Sequence, residues 1–246
     1  MVEWPEGYGR RILAEVDSTN AEGVRCAATL SEPTWIMTHR QTAGRGRRGR
    51  PWSEPVKNFA GSLVLRPSEA PGVAALRSFV SALALSDAVL QIAPHADVAL
   101  KWPNDVLLSG GKLAGILLES SGQGGRLTHL VIGIGVNLYS TPEGVAPGVF
   151  APVSLREATG VEVSQERFLT HLAAAYAARE AVFVRDGFAP IRAAWLERAA
   201  RLGEVIVART GTTETTGRFE TVDADGALVL STADGRRVIP AADVFF

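Results

Sequence analysis

A long apolar helix followed by closely spaced strands is the feature that most constrains the fold of this chain. Val73 to Ile92 carries apolar residues at helical spacing, which predicts a helix buried behind a sheet. Four strand candidates follow, at residues 98–100, 105–108, 113–119 and 129–136, and Ser109-Gly110-Gly111 is typical of a hairpin turn. Because strands joined by hairpins pair antiparallel, the pattern predicts an α+β domain with a mixed sheet rather than a regular βαβ array.

The flanking segments divide the chain into two predicted domains, residues 1–200 and 201–246. Before the long helix we expect strands at 11–16, 35–38 and 62–66, and a helix over about 20–30. Helices are also predicted at 166–185 and 190–200. After residue 200 the pattern changes to short β runs separated by Gly or Asp-Gly turns, which predicts a small β-barrel docked on the larger domain. These runs are 205–208, 215–221, 227–231 and 237–240.

Composition excludes several classes of protein. Cys26 is the single cysteine, so neither an intramolecular disulfide nor a multi-cysteine zinc site can form. The formal net charge is -1, which gives no global attraction to nucleic acid or to an anionic membrane. The first residues contain no apolar signal segment. We therefore expect a cytoplasmic protein that binds neither membrane nor nucleic acid.

Positive charge is concentrated in residues 40–57, which contain six Arg and Lys residues and a single acidic residue, Glu54. Glycine alternates with arginine over residues 44–50, so backbone amides can approach an anion while guanidinium groups bind its oxygens. The segment matches neither a Walker loop nor a dinucleotide-binding fingerprint. It predicts a phosphate-binding loop, a solvated basic loop or an RNA-binding arginine-glycine tract.

A second motif places a cation and a carboxylate close together. Lys101 ends a strand candidate, and Pro103, Asn104 and Asp105 follow it. Lysine suits a phosphate oxygen or a substrate carboxylate, and aspartate can hold the Mg²⁺ that accompanies nucleotide phosphates. The alternative is an ordinary β-turn formed by Asn104 and Asp105.

Glycines interrupt two of the strand candidates. Gly115 breaks one apolar run, and Gly133 and Gly135 lie on one face of the next strand, where a flat ligand could lie. Tight packing of a helix on the sheet would explain them equally well. Residues 18–20 and Gln41 are small or amide side chains that could pair a cyclic amide or urea, although residues 18–20 alone would fit a helix cap.

Taken together and in this order, these motifs resemble those of biotin protein ligases. The resemblance covers about residues 11–140 and extends to the terminal β segment, which looks like the SH3-like domain of that family. The motifs are Ser18-Thr19-Asn20; Gln41 with Gly44-Arg45-Gly46-Arg47-Arg48-Gly49-Arg50 and Trp52; Lys101-Trp102-Pro103-Asn104-Asp105; Lys112-Leu113-Ala114-Gly115-Ile116-Leu117; and Gly133-Ile134-Gly135-Val136-Asn137.

The resemblance implies a fold and a reaction. The fold would be a class II synthetase-like catalytic domain with a C-terminal SH3-like barrel. In the reaction, the carboxylate of biotin would attack the α-phosphorus of ATP, with Mg²⁺, to give biotinyl-5′-AMP and pyrophosphate. The reaction would then transfer biotin to a lysine of the biotin carboxyl carrier protein domain of an acetyl-CoA or acyl-CoA carboxylase or of pyruvate carboxylase. A monomer and a homodimer both remain open.

The resemblance also implies roles for individual residues. Lys101, Arg45 and Arg47 would be catalytic, and Asp105 would hold Mg²⁺ through ATP. Biotin would be bound by Ser18, Thr19, Asn20, Gln41, Arg45, Gly46, Arg47, Lys101 and Gly115. The nucleotide and the adenylate would be bound by Arg47, Arg48, Arg50, Trp52, Lys101, Asn104, Asp105, Lys112 and Asn137.

The sequence departs from the pattern of biotin protein ligases at two places, and two other functions compete with this interpretation. Only seventeen residues precede Ser18, so we expect no N-terminal winged helix-turn-helix and no DNA binding. Residues 57–63 replace the Gly-Gly-Leu-like stretch that is common in the family.

A lipoate ligase would use the same adenylate chemistry but a different Arg-Arg and Gly-Gly-Gly motif. An RNA-binding module would be indifferent to biotin.

Overall fold

The larger sheet has seven strands and confirms the predicted mixed sheet. The computed structural model describes residues 2–52, 55, 57–142, 151–211 and 213–246. The strands in spatial order are β1 (Gly9–Leu13), β2 (Thr34–Thr38), β3 (Phe59–Leu65), β7 (Arg126–Val136), β6 (Gly111–Gln123), β5 (Asp105–Leu108) and β4 (Val98–Lys101). Only β1 and β2 pair in parallel; each other neighbouring pair is antiparallel. The predicted strand at 11–16 thus begins at residue 9 and ends at residue 13.

Six α-helices lie within the described residues. The predicted helix over 73–92 is wrong in one respect, since two helices meet at Leu76. The short helix at residues 155–159 was not predicted, because five residues are too few to show helical periodicity. The helices are α1 (Thr19–Cys26), α2 (Pro71–Ala75), α3 (Arg77–Ile92), α4 (Leu155–Thr159), α5 (Gln165–Asp186) and α6 (Phe188–Leu196).

The two faces of the large sheet carry different helices. Ile36, Val64 and Val131 pack with Cys26 of α1 in a small apolar cluster. Trp35 and Leu63, one residue earlier on their strands, belong to the main core together with α3 and α5. Because successive strand residues point to opposite faces, α1 covers one face and the layer formed by α3, α5 and α6 covers the other.

Residues 71–92 are long and apolar enough to cross a membrane, judged by length and composition alone. In the fold, 72% of the most apolar 18-residue stretch of this segment is buried inside the protein. Ala82, Leu83 and Leu85 are completely or almost completely buried. The apolarity of the segment is therefore explained by its place in the core.

The C-terminal residues form a five-stranded antiparallel sheet, which confirms the β-structure predicted from the short β runs; closure of this sheet into a barrel stays a prediction. A last strand, β12, was not predicted because three residues give no alternation to detect; it pairs with β8 at the edge of the sheet. The indole Nε1 of buried Trp102 donates a hydrogen bond of 3.0 Å to Gly226 O and so ties this sheet to the larger one. The strands in spatial order are β11 (Gly235–Ile239), β10 (Leu228–Thr232), β9 (Thr213–Val222), β8 (Val205–Thr210) and β12 (Asp243–Phe245).

Candidate active site

Strand register brings three of the sequence motifs into one row. Ala60 on β3 pairs with Gly135 on β7, and Gly135 pairs with Gly115 on β6. Gly115 then pairs with Asp105 on β5, and Asp105 pairs with Lys101 on β4. Directly paired residues share a face of the sheet, so the row consists of three small residues followed by a carboxylate and an ammonium group. It forms the floor of a cavity beside the N-terminus of α1.

The cavity has a volume of about 540 Å³ and is lined by residues from both sheets. It contains every residue that the sequence analysis assigned to a site, except Arg48. The predicted residues that line it are Ser18, Thr19, Asn20, Gln41, Arg45, Gly46, Arg47, Arg50, Trp52, Lys101, Asn104, Asp105, Lys112, Gly115 and Asn137.

One end of the cavity is a small polar pocket at the start of α1. Gln41 Oε1 accepts hydrogen bonds from Thr19 N at 2.9 Å and from Thr19 Oγ1 at 3.3 Å. Asn20 Nδ2 donates to Glu119 Oε2 at 2.7 Å. Ser18 is also the N-cap of α1 and accepts from Ala21 N, so the helix-cap interpretation holds for that residue.

Sequence reasoning missed two residues that support this pocket without lining the cavity. The hydroxyl of Ser62 on β3 lies 2.7 Å from Thr19 Oγ1 and 2.6 Å from Asn20 Oδ1. Glu119 on β6 fixes the amide of Asn20 and lies 3.7 Å from the guanidinium of Arg45. Ser62 could have been found from the sequence, because it is a polar residue within an otherwise apolar, buried strand.

The charged end of the cavity is built around Asp105. Lys112 Nζ lies 2.7 Å from Asp105 Oδ1, and Lys101 Nζ lies 3.4 Å from Asp105 Oδ2. Burial acts to raise the pKa of Asp105, but Lys112 and Lys101 outweigh it and hold the pKa below its usual range. Burial lowers the pKa of Lys101, against the attraction of Asp105. The side chain of Lys112 is 25% exposed and that of Lys101 only 8%, so Lys112 is the more accessible cation.

Asp105 does not fit a direct ligand of a divalent cation in this arrangement. Its two oxygens each face an ammonium group, and a third cation would be repelled by both lysines. No group of three His, Cys, Asp or Glu side chains arranged to hold a metal occurs among the described residues. The expectation that Asp105 holds Mg²⁺ therefore gains no support from the geometry.

The arginine-glycine loop folds over the cavity and reaches the C-terminal sheet. Arg48 Nη1 lies 2.7 Å and Arg50 Nη2 3.1 Å from Asp243 Oδ2. Arg47 donates to Asn104 Oδ1 at 3.3 Å, and Asn104 Nδ2 donates to Ile116 O at 2.7 Å. The side chain of Arg48 thus points to Asp243, which lines the cavity, while Arg48 itself does not line it. Its assignment to the nucleotide stays a prediction.

The space above the glycine strands is filled by the chain itself. A Cβ on Gly135 would meet the Trp52 indole, with 2.5 Å to Nε1, and a Cβ on Gly115 would lie 3.3 Å from Trp52 Cζ3. A Cβ on Gly133 would collide with the side-chain amide of Asn20. The Trp52 indole therefore lies against Gly135 and Gly115, and the Asn20 amide lies against Gly133, where the sequence suggested a flat ligand.

Asn137 acts as a brace at the edge of the cavity. Its Nδ2 donates to Lys112 O at 3.3 Å and to Val153 O at 3.2 Å. The side chain is 2% exposed. Asn137 therefore holds the segment that carries Lys112, and its assignment to the nucleotide stays a prediction.

Comparison with known proteins gives the same picture. A sequence profile described as "Biotin/lipoate A/B protein ligase family" matches residues 9–137, and one described as "Biotin protein ligase C terminal domain" matches residues 202–246. The chain belongs to the biotin/lipoate A/B protein ligase family. This confirms the resemblance that the motifs indicated.

Individual relatives agree over most of the chain. The Biotin--[acetyl-CoA-carboxylase] ligase of Paracoccus denitrificans is 56% identical and aligns over 96% of this chain and 99% of that protein. The Bifunctional ligase/repressor BirA of Bacillus subtilis is 31% identical over 87% of this chain, which spans 66% of that relative. The structure of the biotin protein ligase from Aquifex aeolicus in complex with biotin and ATP superimposes with a TM-score of 0.82 at 26% identity. That superposition covers 96% of this chain and 97% of the other.

Proposed function

We propose that this protein is a biotin protein ligase that activates biotin with ATP and transfers it to a carrier-protein lysine. The observation that carries the proposal is the single cavity that joins a pocket of amide and hydroxyl groups to a cluster of cations. The 56% identical relative named as a biotin ligase and the similar structure with biotin and ATP support it.

The first step would form the mixed anhydride. A carboxylate oxygen of biotin attacks the α-phosphorus of ATP, the bond to the β-phosphate bridging oxygen breaks, and pyrophosphate leaves. Two anions must approach each other, and their repulsion is offset by cations that are fixed in advance. Lys112, Lys101 and Arg47 line the cavity and would supply these cations. Magnesium would arrive with the nucleotide and be held mainly by phosphate oxygens.

The polar pocket suits the other end of biotin. A buried urea must have its carbonyl and both N–H groups paired, because an unpaired polar group costs free energy when it is taken out of water. Thr19, Asn20 and Gln41 present hydroxyl and amide groups that can both donate and accept, and the buried hydroxyl of Ser62 supports Thr19 and Asn20 from behind. Their mutual hydrogen bonds hold these side chains in place before the ligand arrives.

The second step would transfer the acyl group. The neutral amine of the acceptor lysine attacks the acyl carbon, the bond to the AMP oxygen breaks, and the amine loses a proton as the amide forms. The loop over residues 45–50 would cover the adenylate and exclude water from it. The acceptor would be the carrier domain of acetyl-CoA carboxylase or a related carboxylase, and the reaction would take place in the cytoplasm.

The division of the work between the two parts of the chain belongs to the same proposal. Residues 1–200 would bind both substrates, and residues 201–246 would close the cavity with β12. Because one chain supplies all the lining residues of this cavity, the proposal holds for a monomer and for a homodimer.

Pyrophosphate release tests the function directly. The protein with ATP should release pyrophosphate on addition of biotin and not on addition of lipoate. A carrier domain should then gain the mass of one biotinyl group on its acceptor lysine. Release with lipoate alone would favour a lipoate ligase, and salt-sensitive RNA binding without pyrophosphate release would favour an RNA-binding module.

The lysines provide a matched set of variants, since the chain contains three: Lys57, Lys101 and Lys112. Lys112→Ala and Lys101→Ala should each lower the rate of pyrophosphate release by about two to three decades, because each removes a fixed cation beside the reacting groups. Lys57→Ala should retain the wild-type rate, since Lys57 does not line the cavity. Retained activity in both cavity variants would contradict the assigned roles.

A further inference from the structure

Asp243 is the acidic side chain that the C-terminal sheet contributes to the cavity lining among the described residues. It opens strand β12, which pairs with β8 through Arg209, Ala208 and Val207. Its carboxylate is 19% exposed. The position of Asp243 is therefore fixed by the fold of the C-terminal sheet, and its side chain points towards the arginine-glycine loop.

Three guanidinium groups of the loop surround this carboxylate. Arg48 and Arg50 donate to Oδ2 at 2.7 and 3.1 Å, and Arg47 Nη1 lies 3.9 Å from Oδ1. Guanidinium groups bind phosphate oxygens as they bind carboxylate oxygens, through charge-assisted hydrogen bonds. Asp243 thus occupies, with respect to the loop arginines, the place that an anionic ligand would take.

The loop alone would not hold these arginines together. Arg48 has a φ of 57°, in the left-handed region, and the side chains of Arg48 and Arg50 are 45% and 63% exposed. Three cations at close range repel one another, and a carboxylate among them removes that repulsion. Asp243 therefore stabilises the conformation in which the loop lies across the cavity.

We propose that Asp243 is a positioning residue whose carboxylate holds Arg48 and Arg50 in the ligand-free protein and is displaced from them by the phosphates of ATP. The inference rests on the proposed function for the identity of the anion. The exchange leaves no guanidinium group without an anionic partner at any stage, which avoids the cost of an unpaired charge. A triphosphate carries several negative charges and a carboxylate only one, so the phosphates win the exchange, whereas the carboxylate of biotin alone does not.

Limited trypsin digestion reports on the ligand-free loop. Trypsin can cut after Arg45, Arg47 and Arg48, while the bond after Arg50 precedes Pro51 and resists cleavage. Asp243→Asn keeps the shape of the side chain and removes its charge. We expect the loop of the ligand-free variant to be cut roughly threefold to tenfold faster than that of the wild type, from the loss of two ion pairs. Saturating ATP should protect both proteins to the same extent.

Steady-state kinetics report on the competition. Removal of the competing carboxylate should lower the KM for ATP by roughly threefold to tenfold. The KM for biotin should stay unchanged, because biotin does not compete for these arginines. Asp243→Glu should restore both the slow cleavage and the wild-type KM for ATP. Glu220→Gln is the control, since Glu220 pairs with Arg236 on the same sheet and lies outside the cavity.

A double-mutant cycle separates the exchange from a general change in the fold. In the Arg48→Gln background, Asp243→Asn should change the KM for ATP less than it does in the wild type, because one of the two pairs is already absent. Equal effects in both backgrounds would overturn the proposal. So would unchanged trypsin cleavage in ligand-free Asp243→Asn, or a raised KM for ATP, which would mean that Asp243 supports the bound nucleotide.

Different experiments would refute the proposed function and the role of Asp243. Absence of biotin-dependent pyrophosphate release from the wild type would refute the ligase function. The comparison of ligand-free cleavage rates uses no enzymatic activity, so it would still decide whether Asp243 holds the loop.

Discussion

At the scale of single residues, the absence of a side chain is as important to the cavity as the polar groups are. Gly135 and Gly115 form part of the floor on which the Trp52 indole lies, and Gly133 makes room for the Asn20 amide. Lys112 Nζ lies 5.8 Å from the centroid of the Trp52 ring. The indole therefore occupies the middle of the cavity, between the polar pocket and the charged cluster.

Gly135→Ala should displace the Trp52 indole, because the added methyl group would overlap it. The backbone can keep its strand conformation, so we expect a shift of the Trp52 emission towards that of an exposed indole and weaker biotin binding. The change in emission should vanish in a Trp52→Phe background, which isolates this indole from the four other tryptophans.

Gly72→Ala is the matched control for that substitution. No atom lies within 4 Å of a Cβ built on Gly72, and this residue is in α2, away from the cavity. Its emission and biotin affinity should equal those of the wild type. An unchanged Trp52 emission in Gly135→Ala would show that the indole does not lie on this glycine in solution.

At the scale of elements, side chains extend the sheet beyond its last regular pairs. Asn58 precedes β3, and its Oδ1 accepts from Tyr139 N at 2.9 Å and from Ser140 N at 3.2 Å. Its Nδ2 donates to Ser140 O at 2.7 Å. The amide thus takes the role of a backbone pair between the entrance to β3 and the exit from β7, next to the row of small residues that floors the cavity.

Asn58→Ala should destabilise the protein by more than about 2 kcal/mol, because it leaves several backbone groups without partners at a buried position. The urea midpoint of unfolding measures this loss. Gln123→Ala, at the exposed end of β6, should stay within about 0.5 kcal/mol of the wild type. Similar midpoints for Asn58→Ala and the wild type would contradict the structural role of this amide.

At the scale of the whole molecule, a buried polar network connects the N-terminus to the helical layer. Arg77 is 5% exposed and pairs with Glu180 at 2.7 Å. Tyr176 donates to Glu180 at 3.1 Å, and the ring of Tyr8 packs edge-on against that of Tyr176 at 6.5 Å. The residues before β1 are thereby fixed to α5, across the sheet from the cavity.

This network predicts a loss of stability at alkaline pH. Burial, and then the carboxylate of Glu180, raise the pKa of Tyr8 from 10.0 to about 12. Between these two values the unfolded chain loses the phenolic proton while the folded chain keeps it, so the free energy of unfolding falls as the pH rises. The fall should be smaller in Tyr8→Phe than in the wild type, measured by urea denaturation from pH 8 upwards. Parallel curves for the two proteins would refute this account.

Much of the fold followed from local patterns. Apolar periodicity located the strands of the large sheet and four of the helices, since period and turn chemistry are properties of neighbouring residues. The break at Leu76, the short α4 and β12 were not predictable in this way. Helix α4 and strand β12 are too short to show a period, and β12 also depends on a distant segment, because it pairs with β8.

The sequence by itself determined which side chains are candidates for the chemistry. Its motifs at residues 18–20, 41–52, 101–105, 112–117 and 133–137 have residue types suited to a urea, a carboxylate and phosphates. Only the tertiary structure decided how they meet. Strand register placed Gly135, Gly115, Asp105 and Lys101 in one row. The return of the chain in β12 set Asp243 against the arginines, almost two hundred residues away in sequence. Pairings of this kind are fixed by the packing of whole sheets, and a local pattern contains no information about them.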